Sequence, residues 1–180
     1  TPLLAVFAKG LGNGFPIGAV TGTTQVREAA QASFISSTCW TERVGPVAAI
    51  ATIKKHRDVN AAERLIGAGR RVQGVWREAA DDTGLKITID HPDMPPLSSL
   101  RFDYPNARAM QTLHCQMMLD QGFLDNFGFY ATYANTDDIL DSYAEALRKA
   151  FAQLAEACQR NEVEERLRGP VGHSGFARLT

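Results

Sequence analysis

The sequence predicts an α/β fold, and three observations carry that prediction. A short, wholly apolar run, Leu3 to Phe7, suits a strand buried on both faces, the kind found in parallel sheets. Period-two alternation appears in Lys86-Ile87-Thr88-Ile89-Asp90 and again from Leu100 to Tyr104, as in half-buried strands. Around these lie long stretches of helical periodicity.

Taken in order, the first run leads directly into a loop, Ala8 to Gly18. Gly10, Gly12 and Gly14 followed by Pro16 exclude a helix there. Ile17 to Thr21 reads as another short strand. Val44 to Arg57 predicts a helix, with Pro46 in the first turn, where its missing N–H is not needed. Lys54, Lys55, His56 and Arg57 suit the negative end of its dipole. A longer helix is expected from about Asp58 to Asp82, carrying Val59, Ala62, Ile66, Val72, Trp76 and Ala79 near helical spacing. Gly84 is its stop, and Gly67, Gly69 and Gly74 weaken its interior.

Beyond Gly84 the texture changes to short strands and shorter helices. His91 to Pro96 is a loop between the two alternating strands. A helix runs from Asn106 to Gly122 with Met110, Leu113 and Met117 on one face, and Phe127 to Thr132 is a third strand. Thr136 caps the best helix of the chain, whose apolar face is Leu140, Tyr143, Leu147, Phe151, Leu154 and Cys158. Asn161 to Leu167 is expected as a further helical piece before Gly169-Pro170. The organisation is therefore a βαβ-like piece (1–57), a connecting helix (58–83) and a compact α/β unit (84–180).

Composition narrows the function classes. At 180 residues and 44% hydrophobic, the chain can bury a core, which excludes disorder as the main state. Nineteen basic and 20 acidic residues leave a net charge of −1, without the basic excess of a nucleic-acid binder. The longest nearly uninterrupted apolar run, Val44 to Ile53, is half a membrane span, so no membrane contact is expected. Cys39, Cys115 and Cys158 are far apart and odd in number, which argues against a disulfide framework and for a reducing, cytoplasmic setting. The chain opens on Thr1 and turns apolar at once, which suggests a piece of a longer protein.

Two places could carry chemistry. Lys9 stands where a strand ends and a glycine loop begins, the position at which open α/β sheets bind ligands. A partly desolvated lysine there could form a Schiff base with a carbonyl, while the glycines admit a bulky cofactor; a surface lysine beside an ordinary turn is the alternative. The second place is Ser36-Ser37-Thr38-Cys39-Trp40-Thr41-Glu42-Arg43, hydroxyls ahead of a helix. It reads equally as a phosphate site or as N-capping with a core tryptophan. His56, His91, His114 and His173 have no metal-ligand spacing, and His114 beside Cys115 on a helix reads as core. Met110, Met117 and Met118 read as core filling.

Phe7-Ala8-Lys9-Gly10-Leu11-Gly12-Asn13-Gly14-Phe15-Pro16-Ile17-Gly18-Ala19-Val20 resembles the lysine loop of class III pyridoxal-phosphate aminotransferases, in the branch that includes glutamate-1-semialdehyde aminomutase. Gln121-Gly122-Phe123 through Phe129-Tyr130-Ala131-Thr132-Tyr133, and Gly169-Pro170-Val171-Gly172-His173-Ser174-Gly175-Phe176, resemble C-terminal segments of the same group. The resemblance covers the whole chain but only the second half of such an enzyme. It implies a fold type I transferase: the end of the large domain plus the small C-terminal α/β domain.

It further implies that Lys9 holds pyridoxal 5′-phosphate as an internal aldimine, and that Thr41 reaches the cofactor phosphate of a neighbouring subunit in a homodimer with a shared active site. The reaction would move an amino group between a small amino donor and an oxo acceptor. Arg43-Val44-Gly45-Pro46 departs from the Ser-Gly-Asn-Pro of aminomutases, which favours a transaminase over the 2,1-aminomutase. A cofactor-free Schiff-base lyase, or a non-catalytic binding module on the same fold, stays open. Glu42 and Arg43 could touch substrate or partner, or form a structural ion pair. The acid that holds the pyridine nitrogen and the main phosphate loop lie upstream in the family, so these 180 residues alone are expected to be inactive.

Overall fold

The computed structural model describes residues 2–36, 38–39 and 41–173. The chain divides into two compact units, Thr1–Ala61 and Ala62–Thr180.

In the first unit, β1 (Leu4–Phe7) pairs antiparallel with β2 (Ala19–Gly22), Leu4 opposite Gly22 and Phe7 opposite Ala19. This corrects the expectation of a parallel strand in a βαβ piece: the two strands form an antiparallel two-stranded ribbon, and its side chains are largely exposed. An apolar run reports its need for cover, but not the direction of its partner. α1 (Thr24–Gln31) follows, a helix that the sequence did not announce, with no buried residue. α2 (Val44–Asp58) carries its cationic last turn as expected. It ends at Val59 and Asn60, the latter left-handed at φ 47°.

The second unit is built on α3 (Ala61–Thr83), an unbroken helix despite its three glycines. Gly69 is required: a Cβ there would lie 2.0 Å from the Pro95 carbonyl oxygen and 2.2 Å from its carbon. The helix backbone thus rests directly on the loop before the next strand. Gln73, buried on the same helix, donates to Ser98 Oγ at 2.6 Å and to the Pro92 carbonyl at 3.2 Å. Gly84 turns the chain at φ 72°, the stop expected of it.

β3 (Ile87–Asp90), β4 (Leu97–Phe102) and β5 (Gly128–Tyr130) form an antiparallel sheet in that order, with Ile89 opposite Leu100 and Ser98 opposite Phe129. α4 (Ala107–Asp120) and α5 (Asp137–Gln159) cover it. Val72, Trp76 and Ala79 from α3 meet Leu100 and Phe102 from β4, Met110 and Leu113 from α4, and Leu147, Phe151 and Leu154 from α5. Ile87, Ile89, Phe129 and Tyr143 pack against them, half buried. His114 lies wholly inside this core, among Phe102, Phe127 and Phe151. Met110 and Met118 are fully buried, as core filling should be.

Thr136 precedes α5 with extended backbone, but its side chain makes no capping hydrogen bond; Asp137 and Asp138 occupy the first turn instead, where the dipole favours negative charge. The expected helical piece from Asn161 to Leu167 is a run of turns, begun by left-handed Asn161 at φ 57°. Among the described helices none is long and apolar enough to cross a membrane.

Candidate active site

β1 delivers the chain to Lys9, which opens a short 3-10 turn, Lys9–Leu11, with left-handed backbone at φ 52°. That conformation is uncommon for a residue with a Cβ and is held here by its surroundings. Leu11 N–H donates to the Ala8 carbonyl and Gly12 N–H to that of Lys9. Gly12 is buried, and a Cβ on it would lie 2.1 Å from the Phe15 carbonyl oxygen. Gly14 takes φ 107°, open to glycine alone at little cost. Gly12 and Gly14 are therefore needed by the loop's own path, independent of any ligand.

The start of α2 is seated on this loop. A Cβ on Gly45 would approach the Pro16 carbonyl oxygen at 3.0 Å and Ile17 Cβ at 3.2 Å. The contact brings the segment carrying Thr41 and Glu42 onto the segment that closes the lysine loop. Beside the loop is a cavity of about 260 Å³, lined by Phe7, Ala8, Gly10 and Leu11 and, from α2, by Thr52, Ile53 and His56. Gly10 faces open space.

The Lys9 side chain is exposed. Its amine and the exposed Thr41 hydroxyl have no hydrogen-bond or ion-pair partner among the described residues. The N-terminus of α2 differs from expectation. The Glu42 carboxylate accepts from Val44 N–H at 2.7 Å and from Gly45 N–H at 3.1 Å. These bonds hold its pKa below the usual glutamate value. Glu42 is thus neither an ion-pair partner of Arg43 nor a free group: it takes the donors that a phosphate would use. The signal was legible, since a carboxylate two to three residues ahead of a helix start can cap it. Trp40 and Ser37, and Ser174 to Phe176 in the C-terminal segment, lie outside the described residues.

Sequence reasoning passed over Asp125 entirely. It lies in the α4–β5 connection, its side chain 11% exposed. Asp125 Oδ1 accepts from Phe127 N–H at 2.8 Å, and Oδ2 accepts from the Tyr143 hydroxyl at 3.3 Å and lies 3.4 Å from His114 Nε2. Trp76 Nε1–H in turn donates to Tyr143 Oη at 2.9 Å. Among the described residues, no group of three or more histidines, cysteines or acids is placed to hold a metal ion.

The chain resembles known proteins over most of its length. No family model matches the chain. The 2′-deamino-2′-hydroxyneamine transaminase of Streptomyces kanamyceticus is 29% identical over 153 residues, 81% of this chain and 38% of that protein. The 3-aminobutyryl-CoA aminotransferase of Cloacimonas acidaminovorans (strain Evry) is 25% identical over 158 residues, 86% and 38%. Among solved structures, the PLP internal aldimine form of the FumI protein of Sphingopyxis sp. MTA144 matches with a TM-score of 0.78 at 23% identity, over 88% of this chain and 38% of that one. An omega-transaminase from Sphaerobacter thermophilus matches with a TM-score of 0.74 at 18% identity, over 87% and 39%. The fold is accordingly the α/β fold of the fold type I transaminases, over the part of those enzymes that the chain matches. The chain spans about two-fifths of the length of these two curated relatives.

Proposed function

We propose that this chain is part of a pyridoxal-phosphate-dependent transaminase of class III type, and that Lys9 is its catalytic lysine. The observation that carries the reading is Lys9 itself: an unpaired primary amine at the end of β1, on left-handed backbone, ahead of a glycine loop with open space at Gly10. The chain's similarity to named aminotransferases supports the same reading. An exposed, unpaired amine suits the aldehyde end of the cofactor. The phosphate end is served less well, because Glu42 already takes the first free donors of α2. Thr41 is then the phosphate contact this segment offers, donated in our reading to the site of a second subunit. Residues 1–57 would belong to the large domain of the whole enzyme and 84–180 to its small domain.

When bound, the cofactor supplies an electron sink for the carbanion formed at the amino-bearing carbon. Lys9 would serve as covalent anchor and, once released, as the base that takes the proton from that carbon and passes it to the carbon that was the cofactor's aldehyde. The substrates would be a small amino donor and an oxo acceptor. The departure at Val44-Gly45-Pro46 favours transfer between two molecules over the aminomutase rearrangement.

The experiment uses the complete protein. Borohydride should fix a cofactor chromophore on Lys9, and Lys9→Ala should lower turnover by several orders of magnitude while leaving the melting temperature of the cofactor-free protein unchanged. Thr41→Ala should weaken cofactor binding roughly ten- to hundredfold, the loss of one hydrogen bond to a charged group. Near-normal turnover in Lys9→Ala would refute the reading.

A further inference from the structure

The second unit contains a cavity of about 180 Å³ with no part in the scheme above. Trp76, Phe123, Phe129 and Ile139 form apolar walls, and Tyr143, Asp125 and Asn135 present polar groups. Leu124, 92% exposed, and half-exposed Ile139 mark its mouth. An empty apolar cavity of about 150 Å³ is known to take a benzene ring, so this one has room for a six-carbon body.

What distinguishes the cavity is the charge in its wall. Asp125 is nearly buried and receives hydrogen bonds from Phe127 N–H and Tyr143, with His114 behind it. Among the described residues no lysine or arginine pairs with it. The Nε2 of His114 faces Asp125, while its Nδ1 is buried with no hydrogen-bond partner among the described residues. The carboxylate is thus held in place at the cavity wall, where an ammonium entering from the mouth would meet a fixed negative charge. The loop holding it is also strained. Phe127, bulky and nearly buried, takes φ 69°, where such a residue is an outlier. Strain of this kind gathers at ligand clamps.

The geometry points to a binding site for a primary amine with a compact apolar body: the ammonium against Asp125, the ring or chain among Trp76, Phe123 and Phe129. Aromatic faces favour a cation in addition to the carboxylate. The site is separate from Lys9 and does not depend on the role proposed for that residue.

The test uses the complete protein carrying Lys9→Ala, so that no amine is consumed covalently, and the ¹⁵N–¹H signal of the Trp76 indole, which lines the cavity and bonds to Tyr143. The probes are cyclohexylmethylamine, its uncharged counterpart cyclohexylmethanol, and cyclohexanecarboxylate. The amine should shift the Trp76 signal saturably and bind at least tenfold more tightly than the alcohol, and the carboxylate should not bind. Asp125→Asn should abolish the preference for the amine while leaving the alcohol's affinity unchanged. Ile139→Trp, which fills the mouth from the partly exposed face of α5, should block both and keeps the test decisive if the Asp125 variant fails to fold. Equal affinity for amine and alcohol, no binding by any probe, or amine binding that survives Ile139→Trp would overturn the assignment. None of these outcomes bears on Lys9.

Discussion

The two units of the chain solve the same problem to different degrees. In the second, aromatic and branched side chains from α3, α4, α5 and β4 close on one another, and Leu113, Leu147, Phe151 and Leu154 have no exposure at all. In the first, the buried apolar side chains among the described residues are Ala49 and Ala61, two of the smallest available. Leu4, Val6, Phe7 and Val20 on the ribbon, and Val47, Ile50 and Ile53 on α2, stand exposed. An apolar surface of that extent needs cover. The lysine loop therefore sits in the unit whose own packing is thinnest, and its shape rests on backbone contacts at Gly12 and Gly45 instead of on side chains.

The contrast is sharpest in substitutions of similar chemistry. Phe151→Ala should cost about 3–5 kcal/mol of stability, as for a large side chain removed from a closed core. Val47→Ser, on the exposed face of α2, should change the stability of this chain by less than about 0.5 kcal/mol. Chemical denaturation of both variants measures the difference, and equal losses would break the distinction between the units. A smaller effect is expected at Gly69. Gly69→Ala should destabilise the second unit by about 1–3 kcal/mol, because the new methyl meets main-chain atoms that cannot rotate away. An unchanged denaturation midpoint would show that the loop can move aside freely.

The mildest effect depends on pH. Burial works to raise the Asp125 pKa, but His114, the Phe127 N–H and the Tyr143 hydroxyl overcome it and leave it below the ordinary aspartate value. A carboxyl depressed in the folded state stabilises above its unfolded pKa of about 3.9, and that contribution is lost as pH falls through the folded value. Thermal melts should therefore lose stability below about pH 4, and Asp125→Asn should flatten that acid limb. An identical limb in the variant would remove Asp125 from the account.

How much of this was legible follows from where each signal lies along the chain. α5 was readable because Leu140, Leu147, Phe151 and Leu154 repeat within one helix and all face one core. The same holds for the alternation of Leu100 and Phe102 in β4. α1 was not readable, because a helix that buries nothing needs no apolar stripe. The pairing of β1 was misread because an apolar run carries no record of its partner's direction. At the candidate site, Lys9 and its glycines were visible as a local motif. Asp125 was not, since its partners His114 and Tyr143 are 11 and 18 residues away in sequence, and only folding brings them together.

The contact at Gly69 has a consequence for how this sequence can vary. The atoms it meets are the carbonyl oxygen and carbon of Pro95 and the nitrogen of Pro96, all main chain. The helix therefore senses where the loop runs and is blind to which side chains the loop carries at those two positions. Replacements in the loop that keep its path should pass unnoticed at this point. The restriction falls on one residue of the opposite element, so a loop transplanted from another protein would be accepted or refused by a glycine that it never brought with it.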